Sequence, residues 1–469
     1  MKISGFFISV IFIFLSGSCN TGPPEKFIAV NLVGYNIDQP KKALLVNAGT
    51  ERFEVIRAED SEVVYSGVAG EVKEPDAATG DKVTVIDFSE FKLPGEYLIR
   101  SAEDRTVRST YFRIAPDIYN AVTRTVLQSY YYHRCGTSVG NGKPWAYDAC
   151  HLDDAPFYGN PDSVRNVTGG WHDAGDYNKF SVNTALSAGL LLYLYEKNPA
   201  IFADRYLDIP ESGNGIPDLL DEVSRTLRWL MKMQRSDGGI YHKVSQKKWV
   251  GEFLPHEDTE TRYLFEVSSG ATAGFAAVAA LGARLLEKIN PDFSEELKIS
   301  SLSAWSYLEK HPGNVPEGGF TNPSDVIGGD YGDPDDSDER LWAAAELYRL
   351  TSDDYFLDYF SDKYESSGRR DIPPVSWKNV QSLVFKSFLK SDLPDSYANL
   401  EKIIRDRVVR HADSILAVQE QNNYLNLIHH SEYYWGSNSV GLAYALDLLH
   451  AHELTTDQTY RNSALYQLH

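Results

Sequence analysis

Residues 169–180 read Gly-Gly-Trp-His-Asp-Ala-Gly-Asp-Tyr-Asn-Lys-Phe, and this segment determines how the rest of the chain is interpreted. Its two acids, Asp173 and Asp176, stand three residues apart between glycines and aromatic side chains. Glycine lets a substrate approach the backbone closely, and two carboxylates that share one space compete for protons. One of them can therefore hold a water molecule while the other accepts its proton. The structural alternative is an Asp-Gly turn with two solvated acids.

The composition is that of a large, acidic, aromatic-rich protein. Its 469 residues predict two domains and a sizeable core. Lysine and arginine number 45 against 66 acids, a net charge of −21. The acids are spread along the chain, which argues against nucleic acid as a partner. The 29 tyrosines, 21 phenylalanines and 8 tryptophans include candidates for stacking on sugar rings, although we expect most of them in the core.

The N-terminus has the pattern of a secretion signal. A charged start is followed by an apolar run from Ile3 to Leu15 and by small residues before Cys19, and the run is shorter than the roughly 20 residues of a membrane span. The small residues resemble a bacterial lipobox, which predicts a signal at residues 1–19 and a lipid on Cys19 that attaches the protein to a membrane. Ordinary signal cleavage is the alternative. In both cases we expect export, to the periplasm, outer membrane or cell surface, and no other membrane-spanning stretch.

A β-rich region follows a short tether at residues 20–26. Residues 27–115 contain seven short alternating runs separated by turn residues, which predict an immunoglobulin-like β-sandwich. The region has no cysteine and no cluster of catalytic residue types, so we expect it to act as structural support. The predicted strands are 28–32, 43–46, 53–56, 63–65, 83–86, 97–100 and 110–114.

Helical periodicity dominates residues 116–469. Between the helices lie long loops rich in Gly, Pro, Asp and aromatic residues, at 134–180, 236–267 and 312–337, and loops of that length in a compact domain are usually functional. Paired helices with alternating short and long connections fit a helical toroid. A toroid of this kind closes with twelve helices, so we expect the last helix to be missing from this chain. The eleven predicted helices are 117–133, 183–198, 215–235, 268–289, 295–310, 338–351, 353–363, 376–390, 397–417, 436–453 and 456–468.

Two segments together resemble glycoside hydrolase family 9, in its subgroup with an N-terminal immunoglobulin-like domain. They are Ile-Ala-Val-Asn-Leu-Val-Gly-Tyr at 28–35 and Gly-Gly-Trp-His-Asp-Ala-Gly-Asp at 169–176. The resemblance covers residues 27–469 and implies an (α/α)6 barrel that hydrolyses β-1,4-linked glucans, such as cellulose or cello-oligosaccharides, with inversion. Further matching segments are 132–136, 215–222, 233–234, 338–348 and 435–439.

The resemblance also implies roles for both acids of the loop. Asp176 matches the general base and Asp173 the residue that helps to hold the water. In an inverting mechanism a second carboxyl group, about 6.5–9.5 Å away, protonates the leaving oxygen. The family's general acid is a glutamate near its C-terminus, after segments that this sequence does not contain, so we expect the acid beyond His469. Glu432 is a weak substitute candidate.

Three functions are open at this point. The first is hydrolysis of a β-1,4-glucan. The second is another specificity on the same scaffold, such as an exo-β-glucosaminidase or a hydrolase of xyloglucan or mixed-linkage glucan, because the loops around the cleft set chain access. The third is a carbohydrate-binding protein without turnover, which would follow if the natural chain ended at His469.

Cysteine and histidine gather near the acid loop. Cys135, Cys150, His151 and His172 supply two thiolates and two imidazoles, the donor set of a tetrahedral Zn²⁺ site. A full shell leaves no position for water, so the predicted zinc is structural and would brace the loop through His172. Some members of the resembling family carry zinc at matching positions. The alternative is a disulfide between Cys135 and Cys150, which is reasonable in an exported protein.

A second metal prediction concerns calcium. Oxygen ligands of the kind that Ca²⁺ prefers are dense around residues 333–339, and the resemblance implies calcium at Asp338 and Glu339. The distant aspartate of the family is replaced here by Asn379, which removes one charge. The alternative is an acidic N-terminus that stabilises the following helix.

Three aromatic residues are candidates for contact with sugar rings. Trp435 matches a cleft residue of the resembling family, and Tyr331 and Trp377 are further candidates. Packed core is the structural alternative for each of them.

Overall fold

The computed structural model describes residues 25–469 except 74, 77, 141, 142, 144, 250 and 368–370. The predicted signal segment, the lipid on Cys19 and most of the tether lie outside the described residues. The remainder forms two packed units, a β-sandwich followed by a helical barrel.

The N-terminal unit is the predicted immunoglobulin-like sandwich. Its two antiparallel sheets have the strand orders β1-β2-β5 and β4-β3-β6-β7. Alternate side chains point inward, as in β3, where Phe53 and Val55 are fully buried. Tyr35 crosses the core between the rings of Phe88 and Phe112, with centroids 5.0 and 5.3 Å away. The strands are β1 Phe27–Ala29, β2 Lys42–Val46, β3 Arg52–Arg57, β4 Val63–Val68, β5 Val83–Asp87, β6 Gly95–Ser101 and β7 Phe112–Ile114.

The second unit contains all eleven helices that the periodicity predicts. Helix α8 begins at Gln381 and not at 376 as predicted, because residues 376–379 form a turn closed by hydrogen bonds between Ser376 and Asn379. The helices are α1 Asn120–Tyr132, α2 Ser181–Lys197, α3 Asp218–Lys232, α4 Ser269–Leu286, α5 Pro291–Lys310, α6 Ser337–Thr351, α7 Asp354–Ser367, α8 Gln381–Leu389, α9 Ala398–Gln421, α10 Asn438–Thr455 and α11 Gln458–Tyr466.

The inner helices pack on one another in sequence, α2 on α4, α4 on α6 and α6 on α8. Small residues allow this close approach, since a Cβ placed on Gly274 of α4 would already touch Ala185 of α2 at 3.4 Å. Helix α4 is long and apolar enough to span a membrane, with a mean hydropathy of 1.3. The expectation that no stretch outside the signal is long and apolar enough to span a membrane is therefore wrong. However, 83% of α4 is buried inside the barrel.

Short strands occupy the long loops between the helices, and the sequence does not predict them. A five-stranded sheet has the order β10-β12-β13-β8-β9, and β11 pairs with β14. In the larger sheet β10 lies antiparallel to β12, with Phe180 opposite Lys243. The strands are β8 Pro156–Phe157, β9 Asn160–Val164, β10 Lys179–Phe180, β11 Ile240–Tyr241, β12 Lys243–Ser245, β13 Tyr263–Leu264 and β14 Val267–Ser268.

The sandwich packs against the end of the barrel formed by the last helices. The ring of Tyr35 lies 4.9 Å from that of His469, and Lys42 Nζ lies 4.1 Å above the ring of Tyr466. The Tyr424 hydroxyl donates to Asp81 at 2.6 Å. These contacts agree with a supporting role for the sandwich.

The buried surface of α4 gives a direct test of this packing. Leu281 is fully buried, and Leu281→Ala is expected to destabilise the barrel by about 2–5 kcal/mol because it leaves a cavity. Ile299 on α5 is 60% exposed, so Ile299→Ala serves as the control, with an expected change within about 0.5 kcal/mol. Thermal unfolding of both variants measures the difference. Equal shifts would contradict the assigned position of α4.

Candidate active site and metal centre

The acid loop is shaped by two glycines in the left-handed region. Gly169 has φ +103° and Gly170 φ +79°, conformations that cost other residues strain. A Cβ on Gly170 would lie 2.6 Å from Trp229 Cδ2, so the loop can approach α3 only without a side chain there. The Cys135 amide donates to the Gly170 carbonyl at 2.9 Å, and the loop is thereby tied to the segment that follows α1.

Asp176 is the more deeply buried acid, with 7% of its surface exposed. Its Oδ2 accepts a hydrogen bond from Asn178 Nδ2 at 2.8 Å. Asn178 is itself fixed, because its Oδ1 accepts from the Gln246 amide at 2.9 Å beyond β12. The carboxylate therefore has a defined orientation, set by a contact between two segments of the chain.

Asp173 has a separate set of donors. Asn183 Nδ2 donates to its Oδ1 at 2.8 Å, and the Tyr331 hydroxyl donates to its Oδ2 at 3.2 Å. Burial and the nearby charge of Asp176 raise the pKa of Asp173 despite these two hydrogen bonds. Burial and Asp173 together raise the pKa of Tyr331 to about 12, so this hydroxyl remains a donor at neutral pH. Asn183 was missed by sequence reasoning, although it stands on the first turn of the helix that directly follows the loop.

Two of the three predicted sugar contacts touch each other, and the third is fully exposed. The rings of Tyr331 and Trp377 meet edge to face, with centroids 5.3 Å apart. Trp435 precedes α10 and is 98% exposed, which excludes packed core for its side chain. Tyr331 is tied to Asp173, so its primary contact is with the acid loop.

Glu432 has local partners. Its Oε1 accepts from the Tyr444 hydroxyl at 2.7 Å, and its Oε2 accepts from the His429 amide at 2.9 Å. Both carboxylate oxygens thus hold the short 3₁₀ turn His430–Glu432 in place. The structure adds nothing in favour of a substitute general acid.

The four predicted zinc ligands converge behind the acid loop. One ligand atom from each of Cys135, Cys150, His151 and His172 lies within 4.8 Å of the others. Cys135 Sγ is 3.8 Å from His151 Nδ1, and Cys150 Sγ is 3.7 Å from His172 Nε2. Both cysteines are free and buried, and no disulfide joins them in this structure. The residues form a group that can hold a metal ion.

Charged side chains surround the thiols and support this assignment. Asp258 Oδ2 lies 3.1 Å from His151 Nε2, the carboxylate contact that orients a metal-bound histidine. Arg262 Nη2 donates to Cys135 Sγ at 3.2 Å. Burial alone would raise the pKa of Cys135, but the Cys150 thiol and the charges of Lys179 and Arg262 bring it well below its usual value. Asp258 and Arg262 lie in the loop 236–267 that the sequence marks as functional, without a pattern that identifies them individually.

A second group of acids lies at the start of α6. Oxygens of Asp333, Asp338 and Glu339 lie within 4.8 Å of one another, so Asp333 joins the two predicted residues. Asn379 lines the same cavity as Asp333, and its Oδ1 accepts from the Gln381 amide at 3.2 Å. Burial and the neighbouring Asp338 raise the pKa of Asp333 to about 6 and that of Glu339 well above its usual range. Such crowding of buried carboxylates suits a bound cation.

The sequence matches two family models. The model described as glycosyl hydrolase family 9 matches residues 119–469, and that of the cellulase N-terminal ig-like domain matches residues 24–106. Endoglucanase D of Acetivibrio thermocellus is 32% identical over 445 residues, which cover 93% of this chain and 69% of the relative. A xyloglucan-specific endo-β-1,4-glucanase of Bacteroides ovatus is 29% identical and covers 86% of this chain and 70% of its own length.

Solved structures show the same architecture. A metagenome-derived glycoside hydrolase family 9 endoglucanase superposes with a TM-score of 0.87 at 33% identity, over 94% of this chain and 82% of the other. A Zn-binding triple mutant of the family 9 endoglucanase J30 has a TM-score of 0.83 at 32% identity, over 92% and 81% of the two chains.

The glycine in contact with Trp229 can be tested by stability. Gly170→Ala is expected to destabilise the protein by about 1–3 kcal/mol, because it adds a left-handed alanine and a clash at one position. Gly175 lies in the same loop with nothing within 4 Å of its Cβ position, so Gly175→Ala is the matched control. Thermal unfolding should show a clear loss for the first variant alone. An unchanged Gly170→Ala protein would show that the loop does not approach α3 as described.

Proposed function

This chain belongs to glycosyl hydrolase family 9, a family of inverting glycoside hydrolases, and we propose that Asp176 is its general base and that Asp173 holds the attacking water. The observation that carries the assignment is the separate fixation of the two acids. Asp176 is oriented by Asn178, whereas Asp173 is held between Asn183 and Tyr331. Two carboxylates with different partners can divide the two tasks between them.

In the proposed reaction a water molecule lies between the two carboxylates and the anomeric carbon. Asp176 accepts a proton from this water while the water oxygen attacks the anomeric carbon, and the Asp173 carboxylate keeps the water oriented. Inversion requires an acid about 6.5–9.5 Å away on the opposite side of the glycosidic bond. No residue of this chain is assigned to that step.

The substrate is a β-1,4-linked glucan. The relatives include an endoglucanase and a xyloglucan-specific endo-β-1,4-glucanase, and both act on a glucan backbone by name. We propose that exposed Trp435 stacks on a sugar ring, since its side chain is 98% exposed beside α10. Trp377 packs edge to face on Tyr331, which contacts Asp173, so we propose Trp377 as a second aromatic contact for the sugar near the acid loop.

We further propose that Cys135, Cys150, His151 and His172 hold a structural Zn²⁺. Two thiols and two imidazoles within 4.8 Å fit a closed tetrahedral shell, and Asp258 orients one imidazole. The ion would supply no chemistry to the sugar. Because His172 precedes Asp173, it would restrict the motion of the acid loop.

Calcium at Asp333, Asp338 and Glu339 is a further proposal, supported by the crowded buried oxygens at the start of α6. Export and a lipid on Cys19 are proposed from the N-terminal sequence pattern alone.

The general base can be tested by substitution. Asp176→Asn keeps the size of the side chain and its contact with Asn178 but removes the proton acceptor, so kcat on a soluble β-1,4-glucan should fall by about 10²–10⁴-fold. Asp162 is exposed on β9, and Asp162→Asn should leave kcat unchanged. Reducing-sugar release measures both rates, and the anomer of the first product tests inversion. An Asp176→Asn enzyme with near-full activity would refute the assignment.

The metal can be tested by direct analysis. We expect about one zinc per chain in purified protein, and none in a Cys150→Ser variant, because the donor set is then incomplete. Cys135 and Cys150 should react with a thiol reagent only after denaturation with a chelator. If the purified protein contains no zinc and these two cysteines react only after a reducing agent is added, the zinc proposal is wrong and a disulfide joins them.

A further inference from the structure

The loop that carries Tyr331 is closed at its base. Gly319 has φ +86°, and a Cβ there would lie 2.2 Å from the Asp333 carbonyl oxygen. A Cβ on Gly332 would lie 1.8 Å from the Phe320 carbonyl oxygen. The two glycines therefore let the backbone at the two ends of the loop come into contact. Residues 320–331 form a compact loop whose last residue, Tyr331, contacts Asp173.

A buried lysine holds the inside of this loop. Lys243 on β12 is fully buried, and its Nζ donates to Asn322 Oδ1 at 2.5 Å and to the Gly329 carbonyl at 2.9 Å. Asn322 in turn donates to the Gly328 carbonyl at 2.7 Å. One ammonium thus links the beginning of the loop to its end, two residues before Tyr331.

The preceding residue reinforces the same anchor. Burial lowers the pKa of His242 to about 3, so its imidazole is neutral, and Nε2 donates to the Asp330 carbonyl at 2.7 Å. Nδ1 then accepts from the Ser268 hydroxyl at 2.8 Å. Two adjacent side chains, His242 directly before β12 and Lys243 at its first position, therefore fix the carbonyls of Asp330 and Gly329.

Aromatic rings complete the environment of the ammonium. Nζ lies 4.7 Å from the ring centroid of Phe265, 5.4 Å from that of Phe320 and 5.6 Å from that of Phe180. The Phe180 ring in turn meets the Tyr331 ring edge to face at 4.5 Å. Among the residues that the structure describes, no carboxylate forms an ion pair with Lys243. Burial lowers the pKa of Lys243 to about 8, although the charges of Asp330 and Asp176 oppose this shift. Both direct hydrogen bonds of the ammonium go to the loop.

We propose that Lys243 is a positioning residue for the hydrolysis, because it fixes residues 322–330 so that the Tyr331 hydroxyl meets Asp173. The inference rests on the proposed role of Asp173 in holding the water. Tyr331 has φ +50°, a strained conformation for a tyrosine that persists only while its surroundings enforce it. Without the ammonium, the loop is expected to relax and Asp173 to lose one of its two donors.

The test compares two lysines that contact the same loop. Lys243→Met keeps roughly the length of the side chain but removes three hydrogen-bond donors and the charge. We therefore expect kcat on a soluble β-1,4-glucan to fall about 10–100-fold, with KM within twofold of the wild type. Lys247 pairs with Asp325 on the exposed side of the loop at 2.8 Å, and Lys247→Met should leave kcat within twofold of the wild type. In a Tyr331→Phe background, Lys243→Met should add little further loss, because both act through one contact.

Amide hydrogen exchange tests the fixation of the loop by Lys243 independently of hydrolysis. Amide exchange of residues 327–331 should become faster in Lys243→Met but not in Lys247→Met. Asn322→Ala removes the other end of the anchor and should reproduce both effects if Lys243→Met does not fold. Unchanged kcat in a folded Lys243→Met protein, full additivity with Tyr331→Phe, or failure of both anchor variants to fold would overturn the proposal. A wild type that includes the expected general acid and still hydrolyses no β-1,4-glucan would refute the proposed function, whereas the exchange data would still decide the anchor.

Discussion

The structure of the site depends on one short backbone pairing, between the acid loop and the segment that follows α1. The backbone amide of His172 donates to the His133 carbonyl at 2.7 Å, and the backbone amide of Cys135 donates to the Gly170 carbonyl at 2.9 Å. These bonds bring Cys135 and His172, two of the candidate metal ligands, together, and His172 directly precedes Asp173. The candidate metal centre and the candidate catalytic acids therefore share one short piece of irregular backbone.

Buried charge is concentrated around that backbone. Asp154 accepts from Arg262 and from Lys179 within one buried cluster, and Arg262 reaches on to Cys135. Lys243 on the neighbouring strand donates to Asn322 and to the Gly329 carbonyl, within reach of the charges of Asp330 and Asp176. Removing any one of these groups would leave another buried group uncompensated, which is costly. Polar contacts, more than apolar packing, thus specify the conformation of the loops in the part of the chain that the structure describes.

Much of the fold was predictable because it follows from periodicity. The seven strands of the sandwich and the eleven helices of the barrel all carry patterns that repeat over several residues, and the acid loop and metal ligands carry rare residue types in close spacing. The strands β8 to β14 escaped prediction because most have two or three residues, too few for a pattern. Lys243 and Asp258 escaped for another reason, since each is defined by a partner far away in sequence. Asn183 lies only ten residues from Asp173, but a single asparagine in a helix carries no pattern that marks this contact.

The contact between the sandwich and the last helix has a consequence for how the chain folds. Tyr35 and Lys42 meet His469 and Tyr466 across almost the whole length of the sequence, and contacts of such separation form late because a long loop must close first. Because domains generally fold as units, with the N-terminal one first during synthesis, we expect the sandwich to be folded already when α11 docks on it.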